Sequence, residues 1–181
     1  EAFKEEAKKY TVGDPEVDAS KLGAMNSKAH FDKVMSYIAL APTEGGKIEF
    51  GGQSVQPEGR CNQGYFIAPT LITSLADSSR CMQEEIFGPV VCLTKFTDTD
   101  DVIKRANATP YGLSATVWSE DATELHAIAQ RLRVGTVWCN TWMLRDLNMP
   151  FGGTKQSGAG REGGVDSLHF FTEQKTICVK L

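Results

Sequence analysis

The spacing of hydrophobic positions in the first part of the chain predicts two helices. Residues 1–10 form an amphipathic segment that ends before the turn-forming residues of the Val-Gly-Asp-Pro sequence at 12–15. A second helix is predicted over residues 27–41, where hydrophobic side chains recur at spacings of three and four, at Phe31, Val34, Met35 and Ile38.

The rest of the pattern alternates short apolar runs with amphipathic segments. Strands are predicted over residues 47–52, 66–73, 90–96, 113–118 and 135–140, with Pro69 interrupting the second. Helices are predicted over residues 98–108 and 121–132. Strands and helices that alternate with short connections predict an α/β fold with a mostly parallel sheet and flanking helices, in which Trp118 and Trp138 belong to the core.

The last forty residues depart from this alternation. Residues 141–168 contain six glycines and little periodicity, so we expect a long loop of functional importance. Residues 172–181 alternate polar and apolar positions and predict a terminal strand, which needs a neighbour in its own chain or in a partner subunit.

Charge and composition exclude several classes of function. The chain has 19 basic and 23 acidic residues, a net charge of −4, which argues against a nucleic-acid-binding protein. No segment approaches the roughly 18 apolar residues of a membrane span. The five cysteines are scattered without a C-x-x-C pair, so we expect reduced thiols, no metal site and a cytoplasmic protein.

Two short motifs have alternative interpretations. Residues 158–163 fit G-x-G-x-x-G but follow no strand, which favours a tight loop with positive φ angles over a dinucleotide site. Glu84 and Glu85 are either two solvated carboxylates at a turn or part of a site at the edge of the sheet, just before a predicted buried strand.

Five ordered segments resemble aldehyde dehydrogenases. They are EEIFGPV at 84–90, NATPYGLSA at 107–115, GTVWCN at 135–140, PFGGTKQSGAGRE at 150–162 and TEQKTICVK at 172–180. The resemblance implies the catalytic domain of that fold over residues 1–168 and an oligomerisation strand over residues 169–181, without the NAD-binding domain. It also implies a cysteine thiohemiacetal mechanism with NAD as cofactor, and leaves NADP open.

The resemblance assigns roles to individual residues. Glu85 resembles the carboxylate that holds the nicotinamide ribose, and Phe87 the aromatic beside the nicotinamide. Phe151 resembles an aromatic of the substrate tunnel and Asn140 the asparagine that braces the active-site loop. The nucleophilic cysteine and general-base glutamate are expected upstream of Glu1, so the chain alone has no catalytic residue and should not turn over.

The segment NTWMLRDLNMPFGG at 140–153 resembles 2-aminomuconic and 2-hydroxymuconic semialdehyde dehydrogenases, which act in tryptophan breakdown and aromatic degradation. A guanidinium such as Arg145 can bind a substrate carboxylate through two parallel hydrogen bonds. The alternative is that Arg145 pairs with Asp146 or another surface acid. Trp142 is a further candidate for substrate contact.

The leading interpretation is therefore part of an NAD-dependent oxidoreductase that converts a small-molecule semialdehyde to an acid. It predicts a homodimer or homotetramer assembled through the segment Thr172 to Leu181. An alternative is a non-catalytic structural or assembly protein of the same fold, similar to the lens crystallins recruited from this family.

Overall fold

In a computed structural model, which describes residues 1–181, the chain divides into two units, Glu1–Lys95 and Phe96–Leu181. The first contains helices α1 (Ala2–Ala7), α2 (Lys28–Thr43) and α3 (Arg80–Gln83), with strands β1 (Lys47–Phe50), β2 (Ser54–Val55), β3 (Phe66–Ile67), β4 (Thr70–Thr73) and β5 (Val90–Leu93). The second contains α4 (Thr99–Asn107), α5 (Ala122–Arg131) and α6 (Gly164–Phe171), with β6 (Tyr111–Gly112), β7 (Ser114–Val117), β8 (Thr136–Cys139) and β9 (Thr154–Lys155).

Helix α2 forms the centre of the first unit. Its N-terminus is capped by Ser27, whose hydroxyl accepts a hydrogen bond from the backbone N–H of His30 at 3.2 Å. Its apolar face packs on the sheet β1-β4-β5, and the largest fully buried side chains of the unit are Val34, Ile67 and Ile72. The predicted helix over 27–41 and the break at Pro69 between two strands are both confirmed.

The second unit is built on a β7-α5-β8 crossover. Strands β7 and β8 pair in parallel with Ser114 opposite Thr136, and α5 connects them. Aspartates cap both long helices of the unit: the Asp98 carboxylate accepts from the N–H of Asp101, and the Asp121 carboxylate from that of Thr123. Each acidic N-terminus also suits the helix dipole.

The predicted α/β class is confirmed, but the sheets are mixed rather than mostly parallel. Strands β4 and β5 pair in parallel, as do β7 and β8, so the parallel pairs belong to one sheet in each unit. The pairs β1/β4, β2/β3 and β6/β9 are antiparallel. Strand β5 is also half exposed rather than buried, since its residues alternate between partly buried and exposed.

Tryptophan burial was predicted correctly at one of two positions. Trp138, on β8, is 6% exposed, as expected for a core residue. Trp118 directly follows β7 and is 66% exposed, so its predicted place in the core is wrong for this chain. Strand β7 ends at Val117, so Trp118 lies just outside the strand in which it was predicted.

The last forty residues also differ from the prediction. The stretch 141–168 is not irregular throughout, because it contains β9 and the start of α6. The glycine run at 158–163 forms a loop in which Gly160 and Gly163 have positive φ angles, as expected. Residues after Thr172 carry no secondary structure and are exposed, so a terminal strand paired with a partner subunit stays a prediction. None of the helices is long and apolar enough to cross a membrane.

Candidate active site

A first candidate region, in the first unit, is the loop formed by residues 84–88, between α3 and β5. Phe87 has a φ of 59° and a ring that is 69% exposed. A non-glycine residue in this left-handed region is uncommon and costs free energy unless its surroundings hold it there. The Glu85 side chain is exposed, and its carboxylate has no hydrogen-bonding or ionic partner in the chain.

Helix α2 holds this loop through polar residues on one face. His30 Nε2 donates to the carbonyl oxygen of Phe87 at 2.5 Å, and the two rings lie 5.6 Å apart between centroids. One turn later, the Lys33 ammonium donates to the carbonyl oxygen of Glu85 at 2.7 Å. Both bonds bind the loop by its backbone, so the Glu85 carboxylate and the Phe87 ring remain available.

The adjacent glutamates have different environments. Arg80 donates to both carboxylate oxygens of Glu84, at 2.7 and 3.0 Å, and the Tyr37 hydroxyl donates to the same group. The hydrogen bonds from Arg80 and then Tyr37 lower the pKa of Glu84 to about 2. The same carboxylate raises the pKa of Tyr37. Glu84 is therefore a structural anchor, whereas Glu85 is the free carboxylate of the pair.

A second candidate region, in the other unit, centres on Arg145. Its guanidinium carbon lies 3.9 Å from the centroid of the Phe151 ring, within the range of a cation–π contact. Its Nη2 donates to Glu162 Oε1 at 2.7 Å. The alternative interpretation, in which Arg145 pairs with a surface acid, is confirmed, and the acid is Glu162. Asp146 is not the partner, because its carboxylate accepts from the N–H of Asn148.

Asn140 and Trp142 take different positions around strand β8. Asn140 has a φ of 51°, its Oδ1 accepts from the N–H of Ser119 at 3.0 Å, and its Nδ2 donates to the Ser119 carbonyl at 2.8 Å. Its amide therefore braces the loop after β7. Trp142 is exposed and meets Trp138 edge to face at 5.0 Å, while the Trp138 indole N–H donates to the Leu144 carbonyl.

A cavity of about 340 Å³ adjoins the Phe151 ring. Glycines 152, 153, 158 and 160 line it together with Phe170. Because these glycines carry no side chains, the chain can fold back on itself here, and a Cβ on Gly160 would lie 2.2 Å from the Phe170 ring. The glycine run therefore shapes the wall of a pocket in this unit.

Two of the cysteines are poorly suited to the nucleophilic role that a thiohemiacetal mechanism requires. Cys81 is buried, and desolvation raises its pKa to about 12. Burial also raises the pKa of Cys92, and Cys139 lies on β8 as predicted. A thiolate is the nucleophilic form, so raised pKa values oppose reactivity at Cys81 and Cys92. No group of three or more histidine, cysteine, aspartate or glutamate side chains is arranged to hold a metal ion.

Sequence reasoning missed three residues that organise the candidate site. His30 and Lys33 hold the loop 84–88, and Glu162 binds Arg145. For the first two, the available signal was their spacing of three on a helix, which places two basic side chains on one face. For Glu162 no local signal exists, because its partner lies 17 residues away across an irregular segment.

Comparison with known proteins places these features in a family. The model of the aldehyde dehydrogenase family matches residues 1–177. The chain is 50% identical to 2-aminomuconic semialdehyde dehydrogenase of Mus musculus, over 98% of this chain and 37% of that protein. It is 43% identical to 2-hydroxymuconic semialdehyde dehydrogenase of a Pseudomonas species, over 97% of this chain and 36% of that protein.

Solved structures of aldehyde dehydrogenases have a similar fold. An indole-3-acetaldehyde dehydrogenase of P. syringae, crystallised with NAD+, superposes with a TM-score of 0.91 at 35% identity, over 98% of this chain and 35% of that one. The chain thus spans a little over a third of the length of the relatives it matches. With the family model matching nearly every residue, the chain belongs to the aldehyde dehydrogenase family.

Proposed function

We propose that this chain supplies part of a full-length NAD-dependent aldehyde dehydrogenase that oxidises a carboxylated semialdehyde of the muconic type to the acid. The observation that carries the substrate class is the position of Arg145. Its guanidinium carbon lies over the Phe151 ring, 3.9 Å from the centroid, and only Nη2 is bonded to a carboxylate. The Nε and Nη1 donors have no protein partner.

A guanidinium with free donors suits an anionic substrate. Its planar fork matches a carboxylate, and charge-assisted hydrogen bonds of this kind are about twice as strong as neutral ones. The same positive charge disfavours an aldehyde that bears a quaternary ammonium group. Similarity to the 2-aminomuconic and 2-hydroxymuconic enzymes supports the same substrate class.

The cofactor proposal rests on the loop 84–88. The Glu85 carboxylate is exposed and unpartnered, so its oxygens can accept hydrogen bonds from ribose hydroxyls. The exposed Phe87 ring can pack beside a nicotinamide. When bound, NAD supplies the hydride acceptor. Relatives crystallised with NAD+ support this assignment, whereas nothing in the chain separates NAD from NADP.

Around the substrate, we propose that Arg145 binds the distal carboxylate, Phe151 lines the tunnel and Trp142 contacts the substrate. Asn140 acts differently from a direct substrate ligand, because both polar atoms of its amide are bonded to Ser119. It is therefore a positioning residue for the loop after β7. The nucleophile and the general base belong to the remainder of the full-length enzyme, so these 181 residues alone should show no turnover.

Assembly is proposed through residues 172–181. Ile177 and Val179 are about three-quarters exposed, and they alternate with polar residues as strand residues do. A second copy of the chain can cover such a segment by pairing with it. A cytosolic location stays a prediction, and so does the alternative of a non-catalytic assembly protein.

The test is an Arg145→Ala substitution in the full-length enzyme. Loss of a charge-assisted pair costs about 1.5–3 kcal/mol, so we expect kcat/KM for the carboxylated semialdehyde to fall about 10- to 100-fold. A neutral aldehyde of the same length serves as control and should change by less than about threefold. Equal loss for both substrates, or no loss for the carboxylated one, would remove the basis of the substrate assignment.

A further inference from the structure

Glu162 forms an unusually constrained ion pair with Arg145. The 2.7 Å contact joins one guanidinium nitrogen to one carboxylate oxygen, and the Arg145 side chain is 28% exposed while that of Glu162 is 62% exposed. The guanidinium face is covered by Phe151. Arg145 is thus held on its face by a ring and at one edge by a carboxylate.

The two groups that hold Arg145 are themselves fixed to each other. Phe151 and Glu162 form an antiparallel bridge in which each backbone N–H donates to the carbonyl of the other at 2.8 Å. The bridge therefore fixes the backbones from which the Phe151 ring and the Glu162 carboxylate extend. The neighbouring acid, Asp146, instead accepts a hydrogen bond from the N–H of Asn148 through Oδ1.

Each two-nitrogen fork of a guanidinium includes Nη2, which already donates to Glu162. A substrate carboxylate bound to the other fork of Arg145 therefore shares Nη2 with Glu162 and will lie near it. Two carboxylates on one guanidinium repel each other, so Glu162 both orients Arg145 and opposes the binding of a second anion. A neutral group with the same shape would orient Arg145 without the repulsion. These two effects of Glu162 have opposite signs for the affinity of an anionic ligand.

We propose that Glu162 is a positioning residue that holds Arg145 against Phe151 and moderates the affinity of Arg145 for a substrate carboxylate. This inference rests on the proposed function, because it requires Arg145 to bind that carboxylate. It gives Glu162 a defined part in substrate selection. A moderate affinity also favours release, since the acid product keeps the carboxylate that Arg145 binds.

The test measures the competitive inhibition constants of adipate, a six-carbon dicarboxylate, and adipamide, its neutral diamide, on the full-length enzyme. Glu162→Gln keeps an oxygen acceptor and removes the charge, so we expect adipate to bind about three- to tenfold more tightly and adipamide to be unchanged. Glu162→Ala removes the acceptor too, so its gain for adipate should be smaller than that of Glu162→Gln. Thermal unfolding verifies that each variant is folded.

Combining each Glu162 substitution with Arg145→Ala completes a double-mutant cycle for the two residues. In the Arg145→Ala variant, Glu162→Gln should leave the adipate constant unchanged. The inference is overturned if Glu162→Gln fails to tighten adipate binding, if the gain persists without Arg145, or if the Ala and Gln variants behave alike. If Arg145→Ala itself leaves adipate binding unchanged, the proposed substrate class fails as well. If Arg145→Ala weakens adipate binding and Glu162→Gln has no effect, only the role of Glu162 fails.

Discussion

The imidazole Nε2 of His30 lies 2.5 Å from the backbone carbonyl oxygen of Phe87. Since a carbonyl only accepts hydrogen bonds, Nε2 carries the proton in this contact. The bond joins the first turn of α2 to a residue whose φ of 59° would otherwise be costly. Helix α2 therefore stabilises the backbone conformation that exposes the Phe87 ring.

Removal of this bond should weaken cofactor binding. We expect His30→Ala in the full-length enzyme to raise the dissociation constant for NAD about three- to tenfold, because the loss of one hydrogen bond costs about 0.5–1.5 kcal/mol. His30→Gln can still donate a hydrogen bond and should restore part of the affinity. The matched control is His126→Ala, on the exposed face of α5. Fluorescence titration gives the dissociation constant for NAD of all three variants. Equal changes in this constant for His30→Ala and His126→Ala would contradict the role of His30 in holding the Phe87 loop.

The ion pair of Glu84 predicts an acid dependence of stability. Its pKa is lowered from 4.5 to about 2, mainly by the hydrogen bonds from Arg80 and then from Tyr37. Because the pKa is lower in the folded state, the ionised Glu84 carboxylate adds to the free energy of unfolding. That addition is complete above pH 4.5 and is lost as the pH falls toward 2. We expect Glu84→Gln to unfold at lower urea concentration than the native protein at pH 6.

The difference between Glu84→Gln and the native protein should shrink between pH 4.5 and 2. Glu58→Gln is the control, because the Glu58 side chain is exposed and makes no hydrogen bond. If the urea midpoints of unfolding of the native protein and Glu84→Gln differ by the same amount over this whole pH range, the charge of the Glu84 carboxylate does not stabilise the loop.

Gly51 should be intolerant of a side chain. Its φ is 71°, and a Cβ there would lie 2.0 Å from the carbonyl oxygen of Pro69. We expect Gly51→Ala to lower the free energy of unfolding by at least about 2 kcal/mol, from a strained φ together with the clash. Gly23→Ala provides the comparison, since a Cβ at Gly23 would meet no atom within 4 Å and the φ of Gly23 is not positive. The urea midpoint of unfolding is measured for both variants. Similar midpoints for Gly51→Ala and Gly23→Ala would contradict the predicted clash at Gly51.

The terminal segment should control assembly. We expect Val179→Asp to reduce the oligomer of the full-length enzyme to smaller species, because a buried unpaired carboxylate would oppose strand pairing between copies. Val17→Asp, at another exposed valine, should leave the mass unchanged. Light scattering coupled to size-exclusion chromatography reads the mass directly. An unchanged oligomer in the Val179→Asp variant would exclude this segment as the interface.

Local signals in the sequence were sufficient for most of the secondary structure. Ser27, Asp98 and Asp121 are capping residues, and their side chains begin the three long helices as such residues are expected to do. Pro69 separates β3 from β4 because proline lacks the N–H that a continuous strand needs.

Contacts between distant residues were not predictable in this way. His30 and Phe87 are 57 residues apart, and Arg145 and Glu162 are 17 apart, so no periodic pattern connects them. The exposure of Trp118 has a related cause, since a strand-like apolar run does not reveal where the strand ends or what covers it. Family resemblance identified Glu85, Phe87 and Arg145 as candidates, and the structure supplied the residues that hold them.

We propose that the full-length enzyme uses NAD to oxidise an aldehyde that carries a carboxylate. The most direct measurement is kcat/KM of the native full-length enzyme, with NAD, for 2-hydroxymuconic semialdehyde and for betaine aldehyde, which bears a quaternary ammonium group. Because Arg145 attracts an anion and repels a cation, we expect the carboxylated substrate to be favoured by at least about tenfold. Equal or greater efficiency with betaine aldehyde, or no reduction of NAD with either substrate, would contradict the account.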